Sequence, residues 1–425
     1  MDNKNNKKEF LPIILGSDEN AYGMARAFYQ KYAVISILLC RLPLVATRYS
    51  KILEIRQFDN FDDEDVFIKN LCEVAEEKIK EYDKLILVPC SDRYTELTIK
   101  NTEIVEKYFC NKFTSYDLFL KFNTKDKFYN ICEEYGLPYP KTVICEYKDR
   151  LSILDRLEFD FPIVVKANNS LSYAFLNCEF EGKKKVFFVK TREEYIRIIE
   201  NMNKSEYKDN IIIQALIPGD DTSARVLNCY SDNNGKVRLM CLGKPVLEEY
   251  APSALGNYAA ILTDIDKNNE SRNKIFEQIK NFLESIKYMG FSNFDMKYDV
   301  RSGGYKFYDF NPRQGRSSFF VTAAGYNLAE FLIDNAVYNK NKDITYADND
   351  TDMLWLSIPK KILFKYVENA EVLERVKRLI KEKKYMYTLL YKKDMNLKRF
   401  LRMKLFYHKH HKEYKMYFFK KDKSL

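Results

Sequence analysis

The segment Gly290-Phe291-Ser292-Asn293-Phe294-Asp295-Met296-Lys297-Tyr298-Asp299 is followed, after a turn, by Lys306-Phe307-Tyr308-Asp309-Phe310-Asn311-Pro312-Arg313. Arg301-Ser302-Gly303-Gly304, between these aromatic-rich runs, is a strong turn signal, so the segment predicts a β-hairpin. Residues two apart on a strand share a face, which sets Asp309 and Asn311 side by side. A five-residue loop over 300–304 then places Asp295 opposite Asp309 across the ladder. Two carboxylates and an amide converging on one face suit a magnesium ion that also holds nucleotide phosphates. On spacing alone, two unrelated, exposed acidic residues fit equally well.

The residues after the hairpin shift that balance. Asn311-Pro312-Arg313-Gln314-Gly315-Arg316-Ser317-Ser318 resembles the closing motif of ATP-grasp carboxylate–amine ligases. More narrowly, residues 311–325 (NPRQGRSSFFVTAAG) resemble the D-aspartate ligases of peptidoglycan side-chain synthesis. Gly16-Ser17-Asp18-Glu19-Asn20-Ala21-Tyr22-Gly23-Met24-Ala25-Arg26 and Cys90-Ser91-Asp92-Arg93-Tyr94 resemble two N-terminal motifs of the same family. The resemblance runs over residues 11–340. It implies an α/β (α+β) chain with the ATP-grasp fold: an N-terminal Rossmann-like pre-ATP-grasp domain over 1–114, the ATP-grasp domain over 115–345, and a basic C-terminal region over 346–425. It also implies that Asp295, Asp309 and Asn311 are the metal ligands. The family's usual residue at the middle position is Glu, so Asp309 departs by one methylene and still offers a carboxylate.

The remaining site residues follow from the same resemblance. Lys127, in Asn123-Thr124-Lys125-Asp126-Lys127-Phe128, and Lys166, ending the apolar run 161–165, match two lysines that hold nucleotide phosphates. The amphipathic run 117–135 predicts one charged helix ending at Gly136, on which Lys127, read alone, is one more solvated lysine. An apolar strand ending in Lys, by contrast, often presents it to an anion. Gln214-Ala215-Leu216-Ile217 matches the hinge whose backbone reads adenine, and Asp220 or Asp221 then reaches the ribose. Many relatives carry an acid where this chain has Ala215, so a side-chain contact is lost there. Arg313 is implied to face the transferring phosphate, and Arg316 with Ser317 to hold the carboxylate substrate. Arg225 is a further anion contact, and Lys166, Arg313 and Arg316 are the candidate catalytic groups. The implied cofactors are ATP and magnesium (or manganese), with an acyl phosphate as intermediate. The implied substrates are D-aspartate and the lysine ε-amine of a peptidoglycan precursor, which could be nucleotide-linked. Another amino acid or amine acceptor is the first alternative. A non-catalytic nucleotide-binding protein with a polyanion-binding tail is the second.

Composition constrains the chemistry further. The chain has 425 residues, 46% of them hydrophobic, and no run of the length that spans a membrane. Nine scattered cysteines without a CxxC pair, and a polar start without an apolar stretch, read as a cytoplasmic protein with reduced thiols. All three histidines fall at 408, 410 and 411, so the body is expected to work without imidazole. That argues against Ser-His-Asp or Cys-His hydrolysis and against a histidine-ligated zinc there. The net charge is +9, yet residues 352–425 hold 21 Lys/Arg against 8 Asp/Glu, so the body is mildly acidic and the tail strongly basic. Within the tail, 353–364 is apolar and strand-like and 371–384 helical. The favoured reading is that the tail completes the family fold near 352–390 and is otherwise simply soluble, its histidine triplet a solvated basic segment. Peripheral attraction to an anionic membrane is the alternative, and no nucleic-acid motif is present.

Overall fold

The computed structural model describes residues 7–169, 172–251, 254–265, 269–340, 343–347 and 351–418. The polar loop that the sequence sets over 167–173, after the strand ending at Lys166, falls partly outside these residues at 170 and 171.

Three sheets organise the chain. The first is parallel, with strands Leu53–Gln57, Ser36–Cys40, Lys8–Leu15 and Tyr82–Pro89 in that spatial order. Near-continuous apolar runs make it, as a sheet covered on both faces requires. Helix Glu19–Tyr32 packs on one side, its start capped by the Asp18 side chain accepting from the Ala21 N–H at 3.1 Å. The second sheet is antiparallel and small, ordered Thr142–Cys145, Ile211–Ala215, Ile163–Ala167 and Val186–Val189, and is covered by helix Arg192–Asn203. The third contains the hairpin strands Gly304–Asn311 and Gly290–Asp299, followed by Ala224–Ser231, Val237–Glu248, Tyr258–Thr263, Leu354–Leu356 and Tyr385–Tyr387. Gly243 lies mid-strand there because nothing larger fits: a Cβ would stand 2.6 Å from Ile261 and 3.0 Å from Phe320.

Two expectations change. The helix predicted over 117–135 is broken into Tyr116–Leu120 and Lys125–Glu134. Thr124 interrupts it in extended backbone and bonds the Asp126 carboxylate at 2.5 Å, starting a new helix at Lys125. The C-terminal region completes the third sheet, as expected near 352–390, and its last helix packs on the body as well. Two of its strands extend the third sheet, with Trp355 fully buried and its indole donating to Thr388 at 2.8 Å. The apolar run 353–364, expected as a strand, is strand only over Leu354–Leu356 and turns into helix Lys360–Tyr366 after Pro359.

The last helix, Leu397–Tyr417, is clasped to the N-terminal domain. Asp394, fully buried, accepts from Tyr22 at 2.7 Å and Ser50 at 3.0 Å and pairs with Arg399 at 3.3 Å. Arg399, equally buried, donates to the Ala46 and Arg48 carbonyls, and Arg26 donates to those of Tyr387 and Thr388. Removing one member of such a buried pair leaves its partner's charge uncompensated. Asp394→Ala is therefore expected to lower unfolding free energy by about 3–5 kcal/mol in urea titrations, whereas Lys393→Ala on the exposed side of the same turn leaves it nearly unchanged.

Candidate active site

Asp295 and Asp309 are paired directly across the hairpin, with Asn293 opposite Asn311 one step along the same face. The loop that joins the strands is 300–303, since Asp299 pairs with Gly304. One residue shorter than expected, it would misalign the carboxylates. A register shift after Asp295, where Tyr308 is the extra residue on its strand, restores the facing pair.

The pair is surrounded by groups that answer its charge. Asp309 accepts from the Lys125 ammonium at 3.1 Å. Asp295 accepts from Tyr258 at 2.9 Å, and the Tyr258 and Tyr308 hydroxyls lie 3.0 Å apart. Burial, and then the neighbouring Asp309, push the Asp295 carboxyl up to about 7. Asn311 donates its side-chain amide to Asn293 at 3.3 Å, and its side-chain oxygen accepts from Arg313 at 3.4 Å. Among the described residues no three His, Cys, Asp or Glu are grouped to hold a metal. The donors on offer are two carboxylates and an amide, all hard oxygens of the kind magnesium takes while keeping phosphate oxygens as its other ligands. The donor set therefore fits that ion, and Lys125 adds a positive charge beside Asp309.

Lys166 sits at the end of its strand and is buried. Its ammonium donates to Tyr129 at 2.8 Å and to the Gln214 carbonyl at 3.2 Å, while the Gln214 amide donates to Thr142 at 2.7 Å. Burial, and secondarily Lys125, bring Lys166 down to about 7. Lys127 is exposed and turned to Asn123 at 3.4 Å, so Lys125 is the helix-start lysine that meets the acidic pair. In the hinge, Ala215 donates to the Lys141 carbonyl at 2.9 Å, the Leu216 carbonyl accepts from Arg301 at 2.8 Å, and Ile217 is buried. Asp220 is exposed and caps the following turn through Thr222 at 2.9 Å, whereas Asp221 is turned inward onto Tyr250 and the Glu248 N–H. A cavity of about 500 Å³ opens beside the hinge between Tyr139, Lys141, Leu216 and Arg301, and neither the acidic pair nor Lys166 lines it.

The three stretches singled out by sequence converge on the turn after the hairpin. Arg313 donates to Asp92 at 2.6 Å and to the Asn311 carbonyl at 3.4 Å. The Asn20 amide bonds the carbonyls of Cys90 and Gln314, both at 3.0 Å, and the Gln314 amide bonds the Pro89 carbonyl at 3.0 Å. Arg316 donates to Glu19 at 3.1 Å, to Ser357 at 3.0 Å and to Glu249, with Ser357 donating to Glu19 at 2.7 Å. Ser317 is buried beside it. Arg225 is engaged elsewhere, with Asp264 at 2.5 Å and the Thr222 and Ala224 carbonyls. Glu19 and Asp92 lie inside motifs already recognised. Asn293, Tyr258, Tyr308 and Glu249 carried no signal in the sequence.

One histidine does approach the site. His410 is buried on the inner face of the last helix, where Glu249 and Arg316 act on it electrostatically. Neither ring nitrogen has a hydrogen bond among the described residues, and Glu413 lies 3.7 Å from Nδ1. Burial lowers its pKa. The Tyr407 hydroxyl, one turn earlier, is buried without a partner as well. The sequence places all three histidines in the tail, and the fold buries His410 where Glu249 and Arg316 act on it.

No family model matches the chain. It is 42% identical to D-aspartate ligase of Enterococcus faecium (strain Aus0004) over 428 residues, spanning 99% of this chain and all of that one. The chain belongs to the D-aspartate ligase family. Among solved structures it resembles the biotin carboxylase domain of a Hydrogenobacter thermophilus 2-oxoglutarate carboxylase in complex with MgADP and bicarbonate, at 12% identity and a TM-score of 0.58 over 82% of this chain and 74% of that one. It also resembles an L-amino acid ligase from Bacillus licheniformis, at 15% identity and a TM-score of 0.53 over 78% and 75% of the two chains. These likenesses show the ATP-grasp fold.

The state of Lys166 gives a test of the geometry. In the unfolded chain this amine holds its proton to about pH 10.5, whereas in the fold it releases it near 7. Between those limits the unfolded state binds more protons, so stability rises with pH, by at most about 1.4 kcal/mol per unit from this one group. Urea titrations from pH 6.5 to 9 are expected to show a rise for the wild type that is flattened in Lys166→Met.

Proposed function

We propose that this chain is an ATP-dependent carboxylate–amine ligase joining D-aspartate to the lysine side chain of a peptidoglycan precursor. What carries the reading is the meeting of three family-like stretches at Arg313 and Arg316, in a chain 42% identical end to end to a D-aspartate ligase.

In this reading Lys166 and a lysine of the helix start, Lys125 or Lys127, hold the nucleotide phosphates. The hinge 214–217 meets adenine, and Asp220, the exposed one of the two acids, meets the ribose. Asp295, Asp309 and Asn311 hold magnesium or manganese, which supplies neutralising charge at the phosphates. A carboxylate oxygen of D-aspartate takes the γ-phosphoryl group as the bond to ADP breaks. The lysine nitrogen then forms the amide bond to the acyl carbon, phosphate leaves, and the amine gives up a proton. Arg313, braced by Asp92, faces the transferring phosphoryl group, where a guanidinium fork matches developing charge. Arg316 and Ser317 hold the amino acid, with Arg225 as a more distant anion contact through its guanidinium edge. The domains divide at 114 and 345, with 346–425 contributing the sheet edge and covering helices of the second unit. The reaction is assigned to the cytoplasm; no helix among the described residues is long and apolar enough to cross a membrane.

ADP release from ATP, magnesium and a lysine-containing stem peptide is expected to rise with D-aspartate above all other D- and L-amino acids, and the product to gain one aspartyl unit by mass spectrometry. Activity confined to another amino acid defeats the substrate assignment and spares the ligase. Asp309→Asn is expected to lower turnover by at least about a hundredfold with the fold intact by circular dichroism. Undiminished turnover in that variant overturns the metal assignment.

A further inference from the structure

The side chains around Arg316 include more buried polar atoms than they have partners for. Arg316 donates from Nε to Glu19 and from Nη2 to Glu249 and Ser357, while its Nη1 makes no hydrogen bond among the described residues. Glu19 accepts from Arg316 and from Ser357 on one carboxylate oxygen, Oε2. Its other oxygen, Oε1, is buried without a partner among the described residues, as are the Tyr407 hydroxyl and both ring nitrogens of His410. Glu19 and His410 are only 5% and 4% exposed, so bulk water does not answer for them.

Buried polar atoms in folded proteins are nearly all hydrogen-bonded, because a bare one has lost its hydration and gained nothing. A single omission is ordinary. Four such atoms about one arginine point to a shared partner. His410 is not simply a satisfied core histidine: it packs on the Phe406 ring at 4.8 Å, but the Glu413 carboxylate stands 3.7 Å from Nδ1, beyond hydrogen-bond length. Nor is the cluster sealed, since the Arg316 side chain keeps 22% of its exposure.

The chemistry of these atoms defines what is missing. Glu19 Oε1 is an acceptor, and burial raises its carboxyl from the usual range, so a donating cation would stabilise its charge. Burial, and then the charge of Glu19, raises the Tyr407 pKa, so that hydroxyl keeps its proton and can donate it. Burial lowers the His410 pKa, which leaves the ring neutral at pH 7 with one N–H to give. Together with Arg316 Nη1 these are donors for an anion. An acid open to a cation, set beside donors open to an anion, matches the ammonium and carboxylate of one α-amino acid. Water would fill the hydrogen bonds but leave two acids sharing one guanidinium.

We propose that Tyr407 and His410, brought to Arg316 by the last helix, bind the α-carboxylate of the amino-acid substrate, and that Glu19 binds its ammonium. The tail then forms one wall of the amino-acid subsite, and the side-chain carboxylate is left for the turn at Arg313. With ammonium, α-carboxylate and reacting carboxylate each held, three contacts around one carbon separate a D from an L amino acid. This inference rests on the ligase reading, in which Arg316 holds the amino acid.

The chain has three histidines, so isotope-labelled histidine in the full-length protein gives an uncrowded imidazole spectrum. D-aspartate is expected to shift the His410 resonances and to leave those of exposed His408 and His411 in place. In steady-state ADP release, His410→Ala and Tyr407→Phe are each expected to raise the KM for D-aspartate at least about tenfold, the loss of one hydrogen bond to a charged group. The KM for ATP and the melting temperature are expected to hold. His410→Gln, which keeps an N–H donor, is expected to recover part of the loss, and His408→Ala to change nothing. An unchanged D-aspartate KM in both His410→Ala and Tyr407→Phe overturns the proposal and spares the ligase. So do His410 resonances blind to D-aspartate in a protein that turns it over. If another amino acid drives turnover and shifts His410, the subsite stands and only the choice of D-aspartate falls. ADP release that no amino acid stimulates overturns the ligase reading and this inference with it.

Discussion

Two carboxylates held opposite each other on adjacent strands repel, and like charges directly across a ladder destabilise the sheet that carries them. The active-site half of this molecule is arranged around that repulsion between Asp295 and Asp309. Lys125 answers one acid and Tyr258 the other, while the bulge at Tyr308 keeps them face to face where a plain hairpin would not. Lys166 is the complement of this arrangement: a buried amine near a second lysine, brought down by burial, whose charge a bound phosphate would restore. Each group is uncomfortable in isolation, and their discomforts are of opposite sign. That is the condition for binding a ligand that carries both a cation and a polyanion.

The turn that follows couples this pair to the first sheet. Arg313 and Arg316 come from the sheet that holds the acids, whereas their partners Asp92 and Glu19 come from the parallel domain. Both arginines therefore take their positions from two domains at once. Guanidinium groups suit this work, because a rigid fork can satisfy two carboxylates or bridge a carboxylate and a carbonyl without losing geometry. Packing between the two sheets runs through these side chains.

The hairpin, its acids and the parallel sheet were legible because each rests on a local pattern: aromatic runs around a glycine turn, or apolar strands alternating with amphipathic helices. Facing of the acids followed from a loop one residue too long, and the bulge at Tyr308 compensated. Bulges leave no mark in composition, so the geometry was reached by a different route from the one the residues suggested. Lys127 was read from the family likeness, and nothing announced the contact of its neighbour Lys125 with Asp309, because the helix read as continuous over 117–135. Its interruption at Thr124 is a tertiary choice, made where the Asp126 N–H meets the Asn168 side chain at 2.9 Å. The strands Ala224–Ser231, Val237–Glu248 and Tyr258–Thr263 gave little signal, being buried on both faces without alternation. Beyond residue 390 the charge of the tail hid its packing. Its buried positions recur every three or four residues beneath a lysine-rich surface, and composition averages the two together.

The clasp between Tyr22 and Asp394 joins residues 372 apart in sequence. During synthesis the helix Glu19–Tyr32 leaves the ribosome long before its partners at 387–399 exist. Until they arrive, Arg26 has no carbonyls to receive it, and the apolar groove that the last helix covers is open to solvent. Contacts of such separation are slow to close and leave interim surfaces exposed. The packing of the first sheet and its helix thus stays incomplete until residues 387–399 have been made.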